Sequence, residues 1–237
     1  MVFQNVTMLT MKENAMKNKL SKMLFATVMA TSASAALASD AMPLDGFYAG
    51  LEAGWLRGDA KWVFLNGNPA RPKTQDVDGS MGGAFLGYQK RFDKVVLGVE
   101  ASYNFGMIDG NATCPNPSFK CNVTDVDELF MIGPKLGYMI NNNWLVYLHG
   151  GYASAEVRTN ATNGVINETT SKRHDGWSAG VGVDYAFTNR FRLGFKYSHI
   201  DLGRETHHQS RFPPPIDDRY INPGFEAFAI RVSYTFQ

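Results

Sequence analysis

The chain is 237 residues long, 44% hydrophobic, 13% aromatic and 19% charged, with 23 glycines, a globular composition that excludes disorder and fits one domain. Lys and Arg number 23 against 22 Asp and Glu, but Lys12, Lys17, Lys19, Lys22 and Glu13 lie ahead of an expected cleavage point, and without them 19 bases face 21 acids, a net charge of −2. That balance excludes nucleic acid as a partner, since such binding needs a basic face to displace counterions.

At the N-terminus, Lys17, Lys19 and Lys22 form a positive n-region, Met23 to Ala30 a short apolar h-region, and Ala36-Leu37-Ala38 an A-x-A site before Ser39. Residues 1–38 therefore read as a cleaved signal peptide and 39–237 as the mature domain, with Met16 fitting as the true start. The apolar stretch is diluted by Thr27, Thr31, Ser32 and Ser34 and is shorter than the ~20 residues of a spanning helix. No later segment is long and apolar enough to be one, so the mature chain is soluble or crosses a membrane as a barrel.

From Phe47 onward large apolar residues alternate with small or polar ones, the period of a strand between two environments. In the first run Phe47, Ala49, Leu51, Ala53 and Trp55 oppose Tyr48, Gly50, Glu52 and Gly54. Seven more runs follow: 83–92, 95–105, 130–140, 144–153, 177–187, 191–198 and 228–236, for an even total of eight. Their connections alternate in kind. Tight turns fall at Asp93, Asn141-Asn142-Asn143 and Thr188-Asn189-Arg190, whereas 57–79, 107–126, 157–174 and 203–224 read as long polar loops. Short turns on one side and long loops on the other predict an all-β fold, an eight-stranded antiparallel up-and-down transmembrane β-barrel with periplasmic turns and extracellular loops. Aromatics near the strand ends, among them Trp55, Phe105, Trp144 and Trp177, match interfacial girdles set in outer-membrane lipid.

Cys114 and Cys121 lie in the second long loop, and in an oxidising compartment they are expected to form a disulfide. Counting inward residues from the short-turn ends predicts a polar belt at one level: Glu52, Gly87 or Gln89, Glu100, Lys135, His149, Asp184, Lys196 and Arg231. Three acids match three bases, which argues for a lumen filled by a salt-bridge network, because buried charge must be paired and an eight-stranded barrel has room only for side chains.

Several segments resemble the small OmpA-like and opacity-type outer-membrane β-barrels, particularly the porin-like surface proteins of α-proteobacteria. They are Gly46-Phe47-Tyr48-Ala49-Gly50, the run from Gly176 to Thr188, Phe195-Lys196-Tyr197-Ser198 with Asp201-Leu202-Gly203, and Arg231-Val232-Ser233-Tyr234-Thr235-Phe236. The resemblance implies residence in the outer membrane of a Gram-negative bacterium, recognition of the last strand by the outer-membrane assembly machinery, and roles in envelope integrity, host contact or ligand capture.

Enzymatic chemistry finds no support. Gly180-Val181-Gly182 lies inside a strand with no helix after it, so it is no dinucleotide fingerprint, and Ser198 and His199 fall on opposite faces of one strand. No cofactor is expected; His174, His207 and His208 are the weak candidates for haem or a metal. The sequence points to a structural and surface-interaction barrel whose loops meet a host or surface ligand, with haem or other ligand binding, or a narrow porin-like channel, as the alternatives.

Overall fold

The computed structural model describes residues 45–64, 73–113, 120–162, 167–208 and 218–236. The expected signal peptide lies outside them. The described residues form nine strands: β1 (Gly46–Phe64), β2 (Lys73–Phe92), β3 (Val95–Thr113), β4 (Lys120–Met139), β5 (Trp144–Thr162), β6 (Asn167–Ala186), β7 (Phe191–Leu202), β8 (Glu205–His208) and β9 (Asp218–Thr235). Each of β1 to β7 pairs antiparallel with the next in sequence, β7 and β8 both pair with β9, and β9 returns to β1 with Glu52 opposite Arg231. Strands β7 and β8 are thus one stave interrupted at Gly203-Arg204, where Gly203 N donates to the Asp175 carbonyl of β6 at 2.8 Å. Nine strands make eight staves, and the ladder closes as a barrel.

The short turns are built by their own side chains. Asp93 takes a φ of 54° in the two-residue turn between Phe92 and Val95, a conformation that Asp tolerates. Asn141 Oδ1 accepts from the backbone N–H of Asn143 at 2.9 Å and of Trp144 at 3.0 Å, and Thr188 Oγ1 accepts from Phe191 N at 2.9 Å.

Outward residues follow the expected parity on every stave. Trp55 is 67% exposed, Phe47 64% and Leu86 62%, values that suit a lipid-facing surface. Aromatic pairs band the barrel at both ends: Phe47–Tyr88, Trp144–Tyr185 and Phe191–Tyr234 near the short turns, and Tyr103–Phe105 and Tyr197–Phe228 towards the other end.

Two features differ from expectation. The stretches 57–79, 107–126, 157–174 and 203–224 are largely strand, so the staves run to 20 residues, about twice what a tilted strand needs to cross a bilayer. Above the aromatic band the outward face meets water and turns polar, so the apolar-outside alternation is lost while the backbone ladder and a buried inner face continue. What remains between strands, 65–72, 114–119, 163–166 and 209–217, lies outside the described residues.

Nor is the interior uniformly small and polar. Val96, Met139, Leu145, Tyr147 and Ala186 cluster at the short-turn end, and Leu56, Val77, Met81, Leu129, Ile200, Leu202 and Phe225 belong to a second cluster further up. An interior this narrow holds little water and must be filled by side chains, so apolar layers flank the charged level.

Candidate functional site

Between the two apolar layers lies a cluster of charged side chains, each on a different stave. Glu52 comes from β1, Glu100 from β3, Lys135 from β4, Asp184 from β6, Lys196 from β7 and Arg231 from β9, all pointing inward by strand alternation. Their cross-strand neighbours are often glycines: Glu100 faces Gly87 and Gly133, Lys196 faces Gly182, and Arg231 faces Gly194. Long side chains are thereby set beside gaps. Two of these gaps also seat aromatic rings. A Cβ at Gly87 would sit 2.5 Å from the Tyr48 ring, and one at Gly182 would collide with Tyr147.

Glu100 is the hub. Its carboxylate has Arg231 Nη2 at 2.9 Å, Lys196 Nζ at 3.6 Å and Lys135 Nζ at 3.8 Å, and it accepts from the Tyr48 hydroxyl at 2.9 Å. Lys135 reaches Asp184 at 3.2 Å and stands 3.9 Å above the Tyr147 ring. Lys196 reaches Glu52 at 3.3 Å, and Asn104 Nδ2 donates to the same carboxylate at 2.9 Å. Arg231 Nε lies 3.6 Å from Glu52; its Nη1 donates to the Tyr147 hydroxyl at 2.7 Å, and the guanidinium stacks 3.7 Å over Phe85. Low-dielectric burial strengthens each of these attractions and penalises any charge left without a partner.

The structure thus brings six of the seven titratable belt residues into one network and leaves His149 beside it. His149 Nε2 donates to the Tyr197 carbonyl at 3.1 Å and lies 3.3 Å from Ser198 Oγ. Ser198 and His199 do face opposite ways, but Ser198 meets a different histidine, reached across Gly180 of β6, which pairs with both Ser198 and His149 and leaves the gap between them. The cavity there, bounded by Glu100, Ser102, His149, Ser178 and Lys196, measures about 20 Å³, room for about one water and none for a substrate.

Sequence counting missed four contributors. Tyr48, Tyr147 and Phe85 hold the cations through ring faces and hydroxyls, although the pattern of residues marks them only as inward aromatics. Arg192 is a fourth interior base, a few residues nearer the short turns than Lys196, so the match of three acids to three bases is corrected to three against four. Its position on the inward face of β7 was the available signal.

The remaining candidates lie apart. His174 is buried, with Nδ1 3.0 Å from the Gly203 carbonyl, and the backbones of His207 and His208 pair with Arg219 and Asp218 in β9. The side chains of His207 and His208 lie outside the described residues, as does Cys114 and with it the expected disulfide to Cys121. Among the described residues no group of three or more His, Cys, Asp or Glu side chains is arranged to hold a metal.

Residues 23–236 match the family described as the outer membrane protein beta-barrel domain. The chain is 24% identical over 247 residues to the 31 kDa outer-membrane immunogenic protein of Brucella melitensis, an alignment covering 92% of this chain and 100% of that one. The protein of the same name from Brucella suis gives the same figures. Among solved structures, the outer membrane protein OprG of Pseudomonas aeruginosa is 12% identical, covers 83% of this chain and 98% of its own, and has a TM-score of 0.51, a likeness of fold alone.

Proposed function

The chain belongs to the outer membrane protein β-barrel family, and from that premise we propose that it is a closed, non-conducting barrel that works through the hairpins it carries outside the membrane. The filled charged level carries this reading. Lys135, Lys196, Arg231, Glu52 and Asp184 are all buried in the barrel interior, with apolar layers above and below, so a permeating ion would have to displace paired charges.

With the lumen closed, the part available to partners is the upper half of the staves. That half is braced on its outer surface. Arg173 Nη2 reaches Glu128 at 3.1 Å, Ser171 donates to Glu156, and the Tyr152 hydroxyl donates to Asp175 at 2.5 Å. Strands stiffened in this way make a firm outer rim to the barrel, which suits contact with a host or environmental surface better than capture of a solute. A protein of this kind is exposed to immune recognition, and the Brucella relatives are named as immunogenic.

Two measurements test the reading together. In planar bilayers the folded protein is expected to give no large, persistent open state, and whole cells expressing variants shortened at 65–72, 114–119, 163–166 or 209–217 are expected to lose surface binding while keeping a heat-modifiable barrel. Large stable conductance would replace the closed barrel by a channel. Binding unchanged by all four deletions would remove the hairpins as the working part.

A further inference from the structure

The interior charges do not balance. Among the described residues four interior cations, Lys135, Arg192, Lys196 and Arg231, face three carboxylates, Glu52, Glu100 and Asp184. Three of the cations lie within 4 Å of a carboxylate. Arg192 has no such partner among the described residues. Its Nε, Nη1 and Nη2 are all buried without a hydrogen-bond acceptor there, and its guanidinium rests 4.8 Å over the Tyr48 ring. At the same end of the lumen Gln89, fully buried, also leaves both amide atoms unmatched.

A guanidinium keeps its charge at any pH the protein meets, so Arg192 cannot relieve the imbalance by losing a proton. A buried charge without a counter-ion costs several kcal/mol. Asp184, which could help, is already bonded to Lys135. The position of Arg192 suggests where relief comes from. It is the second residue of β7, one step inside the turn at Thr188, and it pairs across the sheet with Ala186 and Ser233. Arg192 therefore lies near the short-turn mouth of the barrel, among the apolar side chains Val96, Met139, Leu145 and Ala186 that fill that end.

We propose that Arg192 holds a small monovalent anion of the halide class, admitted from the periplasmic mouth, with Gln89 as a second unmatched polar group at that end. Because the guanidinium nitrogens are screened from solvent, the anion must shed water and displace side chains to reach them. Weakly hydrated monovalent ions therefore bind in preference to sulfate or phosphate.

The test is unfolding of the full barrel in detergent at constant ionic strength, with chloride or bromide exchanged for gluconate or sulfate. Chloride and bromide are expected to raise the unfolding midpoint of the wild type. Arg192→Gln abolishes the dependence, and Lys94→Gln, on an exposed turn, leaves it intact. A wild type indifferent to the anion, or an Arg192→Gln variant that keeps the dependence, overturns the proposal. Bromide-soaked wild-type crystals give a check that needs no variant to fold: an anomalous peak against the Arg192 guanidinium is expected, and ordered bromide found only elsewhere, or nowhere, refutes the site.

Discussion

Glu100 should be the most costly side chain of the belt to neutralise, and the geometry gives the ranking. Replacing it by Gln preserves its shape but removes the carboxylate that faces Arg231 at 2.9 Å, Lys196 at 3.6 Å and Lys135 at 3.8 Å. Four interior cations then face two acids, and the expected loss is about 3–5 kcal/mol, the cost of breaking a buried pair from one side. Lys196→Met is milder. Glu52 keeps Arg231 at 3.6 Å and the Asn104 amide at 2.9 Å, Glu100 keeps two cations, and acids and bases become equal in number, so about 1–2 kcal/mol is expected. Combining the two changes should recover about 1–2 kcal/mol relative to their sum, since each removes a charge that the other strands. Adding Asp184→Asn to Lys196→Met should recover nothing, because Asp184 is bonded to Lys135. Urea unfolding in lipid vesicles, followed by tryptophan fluorescence and by gel mobility without boiling, measures all four variants, with lipid-facing Leu193→Met as the control. A larger loss for Lys196→Met than for Glu100→Gln, or strict additivity in the double, would refute the hub.

Gly182→Ala should force the Tyr147 ring from its seat and with it the Arg231 hydrogen bond, lowering stability by about 1–3 kcal/mol in the same assay, an effect that a second change, Tyr147→Ala, makes smaller. Asn141→Ala removes the acceptor for two turn N–H groups at an exposed site and should cost about 1 kcal/mol or less, with Asn141→Asp close to wild type; equal losses for both would show that the side-chain oxygen is not what holds the turn. If Cys114 and Cys121 are joined as proposed from the sequence, unreduced peptides carry the bond by mass spectrometry and Cys114→Ser leaves heat resistance nearly unchanged, since the closed loop is short and the ladder holds the staves.

The lower half of each stave was legible because lipid on one side and a packed lumen on the other force strict alternation. Phe47, Leu51 and Trp55 against Tyr48 and Glu52 leave one choice of facing. The upper half was not legible in the same way. At Asp59, Asp76 and Asp78 outward side chains are as polar as any loop, so the strands above them look like loops although their backbones stay paired. Within the site, membership of the belt followed from parity alone, but partners did not. Ser198 meets His149 across Gly180 of the strand between them, and Lys196 meets Glu52 across the closing strand β9, neighbourhoods that no single strand records. Leu56, Met81 and Ile200 broke the polar-inside rule because a lumen this narrow is a core and takes apolar filling.

The pairing of β1 with β9 joins the two ends of the folded chain, and there Glu52 stands directly across from Arg231. A closure slipped by one residue would turn every inward side chain of one of these strands towards lipid, where an arginine near mid-bilayer costs roughly 2–4 kcal/mol. A slip of two would keep the facing but part Arg231 from Glu52 and Glu100, which lie on strands beyond the seam. Mispaired barrels are therefore penalised most heavily at the last step of assembly, when the first and last strands meet, and the charges that close the lumen also proofread the seam.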